Sequence, residues 1–154
     1  MVKKRTTEQH EGMVKVYFRL ERDEEGFPPA DVESLWAEPV DASHCRLDNV
    51  PFFAREVANR DVVEVREEEG SLWFVRVTEE GGHGTIRVIA YDKARTDDIR
   101  QTIRGFGCSV EKSHIDGYLS VDVRPDSKKR ELLDYLAREH AADRLDYDEG
   151  CKNW

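Results

Sequence analysis

The chain has 154 residues, with 24 Lys and Arg against 33 Asp and Glu, and so carries a formal charge of −9. Such a surface repels phosphate backbones, which disfavours a general nucleic-acid binder. Apolar residues make up 38%, and no run approaches the roughly 18 apolar residues of a membrane span, so no membrane partner is expected.

Residues 1–12 include Lys3, Lys4 and Arg5 but no apolar stretch, and read as a flexible N-terminus rather than a secretory signal. Met13–Leu20 alternates Val14, Val16, Phe18 and Leu20 with polar partners, the period of a half-buried strand. Gly26-Phe27-Pro28-Pro29 breaks it. Ser34–Val40 is a shorter strand, which Pro39 assigns to an edge or a bulge. Cys45–Val50 follows, then a turn at Pro51–Ala54. Asp61–Arg66 and Leu72–Thr78 form the clearest hairpin, joined by Glu67-Glu68-Glu69-Gly70-Ser71. Five short strands without a long helix predict a small β-barrel over residues 13–83.

The pattern changes after Gly81-Gly82-His83-Gly84. Thr85–Tyr91 reads as a strand, and Ile99, Ile103 and Phe106 mark one face of a helix over Thr96–Phe106. Cys108–His114 and Tyr118–Arg124 are strands around an Asp116-Gly117 turn. Asp126 and Ser127 offer caps to a helix bearing Leu132, Leu133, Leu136 and His140. Leu145–Asp148 closes the series. The expected class is therefore α+β, a small N-terminal β-barrel followed by a ferredoxin-like β-α-β-β-α-β half over residues 84–154. Neither half, at ~70–80 residues, has much core of its own, so the two should pack together.

The acidity is unevenly placed. Residues 1–83 hold 11 basic and 19 acidic side chains, net −8, and residues 84–154 hold 13 and 14, net −1. Glu24, Glu25, Glu67, Glu68 and Glu69 fall on expected loop tips. They read either as solvated turns or as an acidic face for a basic partner. Lys128-Lys129-Arg130 reads as a solvated face at a helix start.

The three cysteines, Cys45, Cys108 and Cys151, are widely separated and lack CxxC spacing. Free thiols in a reducing cytoplasm is the simplest reading. His44-Cys45 and the Cys108…His114 pair lack the paired spacing of zinc ligands, so no metal or other cofactor is expected.

The runs LWAEPV, CRLDNVPFFAREVANRDVVEV, SLWFVRV and GGHGTIRV resemble a family of small bacterial proteins catalogued as a domain of unknown function. The resemblance covers about residues 33–125, through Trp36-Ala37-Glu38, Leu47–Ala54, Asp61 with Val63, Leu72–Val77 and Gly82–Arg87. Two departures stand out. Asn59-Arg60 replaces a glycine before Asp61, and Gly84 replaces a serine after His83. If that serine carried chemistry, the chemistry is absent here. The resemblance supplies no reaction. Some members of such families are encoded beside toxins, so it implies an immunity role as an expectation.

His83 is either an acid–base or ligand-contacting group, or a histidine that fixes the link between halves. Asp48-Asn49 reads as a turn held by side-chain-to-backbone bonds, or as a substrate clamp. Asp61 is expected to accept a hydrogen bond that closes the turn into its strand. No Ser, Cys or carboxylate lies at a catalytic spacing from His83. The leading expectation is a non-catalytic cytoplasmic protein-binding module, an immunity or antitoxin-type protein that engages a basic toxin or effector domain through the acidic face. The alternative is a small-molecule-binding regulatory domain or enzyme. Its pocket would lie at the barrel–sheet junction, lined by Trp36, Phe52, Trp73 and His83.

Overall fold

The computed structural model describes residues 11–151, so most of the expected flexible N-terminus lies outside the described residues. Strands β1 (Val14–Arg19), β2 (Val32–Pro39), β3 (His44–Leu47), β4 (Val62–Glu68) and β5 (Ser71–Glu79) form one sheet. Neighbours pair antiparallel in sequence order. Val16↔Leu72 and Tyr17↔Trp73 then join β1 to β5 in parallel and close a ring. Period 2 decides which side chains enter it. Val16, Phe18, Leu35, Ala37, Cys45, Leu47, Val63 and Val65 are buried inside, while Lys15, Tyr17 and Arg19 point outward. Phe18 stacks on Phe74 with ring centroids 4.7 Å apart. The β4–β5 turn is tighter than the sequence indicates. The strands run to Glu68 and from Ser71, leaving only Glu69 (φ 52°) and Gly70 (φ 84°) between them. Two left-handed residues in succession match the twist of the flanking strands.

The second sheet contains β6 (Gly84–Ala90), β7 (Ser109–Lys112), β8 (Tyr118–Val123) and β9 (Leu145–Cys151) in the order β7-β8-β6-β9. All its pairings are antiparallel. Helices α1 (Thr96–Arg104) and α2 (Lys129–Ala141) accompany it. Ile99, Ile103, Leu132 and Leu136 pack on Ile86, Val88, Leu119 and Val121 to form the second core. Lys128 stands at the α2 N-cap without a side-chain bond. Ser127 is engaged elsewhere: its hydroxyl donates to the Gly107 carbonyl at 3.0 Å and accepts from the Arg124 N–H at 2.9 Å.

The expected class, α+β with a β-barrel followed by a ferredoxin-like half, is corrected by these observations. Among the described residues, nine strands form two mostly antiparallel sheets, and the two α-helices have only nine and thirteen residues. The first sheet is a ring whose closing seam spans two residue pairs, with register shifts between β4 and β5. It lacks the evenly paired wall of a barrel. The second sheet does not stand as a free α+β half, because its helix-free face is occupied by a loop from the ring. The physical reason is that the polar residues on this face look solvent-directed in sequence, whereas they are buried against backbone.

Candidate functional site

Residues 48–61 link β3 to β4 without strand or helix, so their backbone groups need partners elsewhere. The ring supplies acceptors. The N–H groups of Phe52, Phe53 and Ala54 donate to the Glu33 carboxylate of β2 at 2.6, 3.1 and 2.8 Å. The second sheet supplies donors. Ser120 Oγ donates to the Pro51 carbonyl at 2.6 Å, the Tyr118 hydroxyl to Phe52, the Arg87 guanidinium to Ala54, and Thr85 Oγ1 to Val57 at 3.3 Å. These donors share one face of β6 and β8, since side chains alternate along a strand. The loop is thereby fastened to both sheets.

Arg87 is 5% exposed, and burial lowers its pKa. Its Nε is buried without a hydrogen-bond partner. Gly150 makes room for it, because a Cβ there would lie 2.5 Å from Arg87 Nη1. Burial likewise pushes the Tyr118 phenol up to about 12.

At the other end of the loop lies a second polar group. Asp122 is 2% exposed. Its carboxylate accepts from His83 Nδ1 at 2.8 Å and from Asn59 Nδ2 at 3.1 Å. Asn59 Oδ1 is buried without a partner. Asp61, 1% exposed, accepts from the Ala58 N–H at 3.0 Å and the Gly81 N–H at 2.9 Å. The first bond is the turn closure its sequence position predicts. Burial raises the Asp61 carboxyl, opposed by those two hydrogen bonds. Cys151 is raised to about 11, first by burial and then by Asp61 and Glu80. A thiol held that high is a poor nucleophile at neutral pH.

A cleft of about 690 Å³ opens where ring, loop and second sheet meet. Phe18, Phe27, Phe53, Phe74, Tyr118 and Tyr147 provide its aromatic lining, and Glu21, Asp23, Glu25, Asp146 and Asp148 its carboxylates. Phe27, Phe53 and Tyr118 form one aromatic cluster, with centroids 5.6 to 6.0 Å apart. Three arginines also line the cleft. Two are engaged by acids, Arg19 by Glu68 at 3.6 Å and Arg55 by Asp148 at 3.0 Å, and the third is the buried Arg87. The acidic charge is thus in excess.

The residues singled out by sequence scatter around this cleft. Glu25 lines it, and Glu24 is exposed beside Glu25. Glu67, Glu68 and Glu69 lie at the β4–β5 tip, with Glu68 held by Arg19 and by Arg66 at 3.1 Å. Trp36, Phe52, Trp73 and His83 do not gather. None of the four lines the cleft. Lys15 Nζ lies 4.4 Å from the Trp36 ring centroid and Arg19 Cζ 3.9 Å from that of Trp73, both on the outer wall of the ring. Phe52 packs at 6.3 Å from Tyr118 in the junction, and His83 belongs to the Asp122 group. Asn49 Oδ1 accepts from the Trp36 N–H at 3.1 Å, a side-chain-to-backbone bond. His44 faces Asp41 at 2.9 Å, and Cys45 is buried in the ring core. Among the described residues, no three of His, Cys, Asp and Glu gather as metal ligands. Glu33, Arg87, Tyr118 and Asp122 were not indicated by sequence. For Arg87, Tyr118 and Asp122 the one signal is a charged or hydroxyl side chain within a mostly apolar strand; Glu33 stands beside Ser34 in a strand that also carries Glu38, and has no such signal.

The family model described as "Domain of unknown function (DUF4265)" matches residues 33–147. The chain belongs to that family. The matched span takes in Glu33, the whole linking loop and the Asp122 group, and so includes strands of both sheets, although β1 and the end of β9 lie outside it. No curated protein matches the sequence. A solved structure, "Novel crystal structure of a hypothetical protein from Neisseria gonorrhoeae", is similar with a TM-score of 0.76 and 25% identity. The match covers 90% of this chain and 94% of that one. No helix among the described residues is long and apolar enough to cross a membrane.

Proposed function

We propose that this family member is a non-catalytic binding protein that docks a basic, partly apolar segment of a protein partner in the cleft between ring and second sheet. The observation that carries this reading is the combination of an aromatic lining with five carboxylates in one cleft. Aromatic faces receive apolar and guanidinium groups, and the carboxylates select for positive charge and speed the encounter. The Glu24–Glu25 loop extends that acidic rim. In the immunity reading, the partner is a basic toxin or effector domain met in the cytoplasm. The buried thiols suit such a reducing compartment.

A second reading places a cationic small molecule in the same cleft, favoured by its volume, which falls in the usual range of ligand sites. Selection of displayed random peptides on the wild-type protein, with counter-selection on a Glu25→Lys/Asp146→Lys variant, tests the proposal. Enrichment of Arg- or Lys-containing segments with aromatic or aliphatic neighbours is the expected result. Enrichment that the double variant retains, or a preference for acidic segments, overturns it.

A further inference from the structure

The opposite edge of the second sheet carries the reverse charge. A recess of about 340 Å³ lies between α1, β7 and the end of β8, with Arg100, Arg104 and Arg124 in its lining. Most arginines of the ring are neutralised, as in Arg46–Glu79, Arg66–Glu68 and Arg76–Glu64. Arg100, Arg104 and Arg124 form no ion pair among the described residues, although Glu111 also lines the recess. In a chain of net charge −9, three unneutralised guanidiniums meeting in one recess call for an anion.

Two of the three are already oriented. Arg100 Nε donates to the Val110 carbonyl at 3.1 Å, which leaves its two terminal nitrogens to point elsewhere. Arg124 Nη2 donates to Ser109 Oγ, which leaves Nε and Nη1. Arg104 follows Arg100 by four residues on α1 and therefore shares its face. Holding a guanidinium by one bond in advance reduces the order it must acquire on binding. The nearby Lys129 is fixed by its bond to the Pro125 carbonyl at 2.6 Å and adds to the positive field.

We infer that this recess binds a phosphoryl group of a small soluble molecule through Arg100, Arg104 and Arg124. A single carboxylate occupies one planar fork, whereas a multiply charged tetrahedral anion offers oxygens to several forks at once. The recess contains no aromatic ring on which a base could stack. Recognition therefore ends at the phosphoryl group. This site goes beyond the cleft proposal and lies at the far edge of the sheet, β7 rather than β9.

Calorimetric titration of the full chain at low ionic strength with inorganic pyrophosphate tests the assignment. Citrate and adenosine diphosphate form the comparison arms. Saturable binding of pyrophosphate is expected, with adenosine diphosphate no more than a few-fold different and citrate at least tenfold weaker. Arg104→Gln should weaken pyrophosphate at least tenfold. That exposed side chain makes no hydrogen bond among the described residues, so the variant keeps the fold. Arg76→Gln on the ring should leave binding unchanged. Absence of saturation, citrate binding as tight as pyrophosphate, or equal effects of the two variants overturns the site.

Discussion

The His83 imidazole and the Asp122 carboxylate meet at 2.8 Å across the boundary between ring and second sheet. Asp122 also receives the Asn59 amide, so its two oxygens join the link, the loop and β8. A buried acceptor of this kind matters most through what its loss leaves unpaired. Asp122→Ala should destabilise the protein by about 1–3 kcal/mol. His83→Ala should cost less, because water reaches that partly exposed site. Urea unfolding of both singles and the double variant gives their coupling, expected at roughly 0.5–3 kcal/mol for groups in contact. Strict additivity would remove the pair's assigned role.

Glu33 is the ring's hold on the loop. Three backbone N–H groups converge on one carboxylate. Glu33→Ala leaves three donors without that acceptor and should cost about 2–3 kcal/mol, with Glu33→Gln intermediate. Amide hydrogen exchange should report the loss as faster exchange at Phe52, Phe53 and Ala54. Unchanged protection at those three positions would contradict the assignment.

Gly150 and Arg87 occupy each other's space. A Cβ at position 150 would stand 2.5 Å from Arg87 Nη1 and 2.8 Å from Cζ. The guanidinium is buried and cannot swing freely into water. Gly150→Ala should therefore cost about 1–3 kcal/mol, the range of overpacked cores. Combining it with Arg87→Lys, which shortens the head group, should recover part of the loss in thermal unfolding.

Tyr118 makes the junction sensitive to alkali. Its phenol is raised by burial from the ordinary 10.0 to about 12. The folded state therefore holds this proton more tightly than the unfolded chain. The resulting stability is fully present below pH 10 and is lost as pH rises toward 12. Tyr118→Phe should flatten the stability curve across that window. At neutral pH it should cost about 1–2 kcal/mol through the abandoned Phe52 carbonyl. Chemical denaturation at stepped alkaline pH separates the two effects. Equal slopes for both proteins would contradict the first.

Local order was legible where one face of an element meets a core. Val16 and Phe18 alternate correctly for β1, and Ile99 and Ile103 mark the buried side of α1. The hidden part is the helix-free face of the second sheet. Thr85, Arg87, Ser120 and Asp122 alternate with apolar residues as solvent-facing side chains do, yet all four are buried. Periodicity reports that two faces differ. It does not report whether the polar one meets water or a loop's carbonyls. The same limit hid the cleft, since Phe27, Phe53 and Tyr118 come from three segments far apart in the chain. Trp36 and Trp73 misled for a related reason. Their size points to a pocket, but each lies under a cation on the ring's outer wall.

The loop's divided attachment sets how the chain behaves when it is cut. Cleavage at Gly81 would leave residues 48–61 with one fragment and the Thr85, Arg87, Tyr118 and Ser120 donors with the other. Each piece would then carry the complement of the other's unmet hydrogen bonds. The two fragments should therefore recognise one another, and a chain severed at that link should reassemble when its parts are mixed.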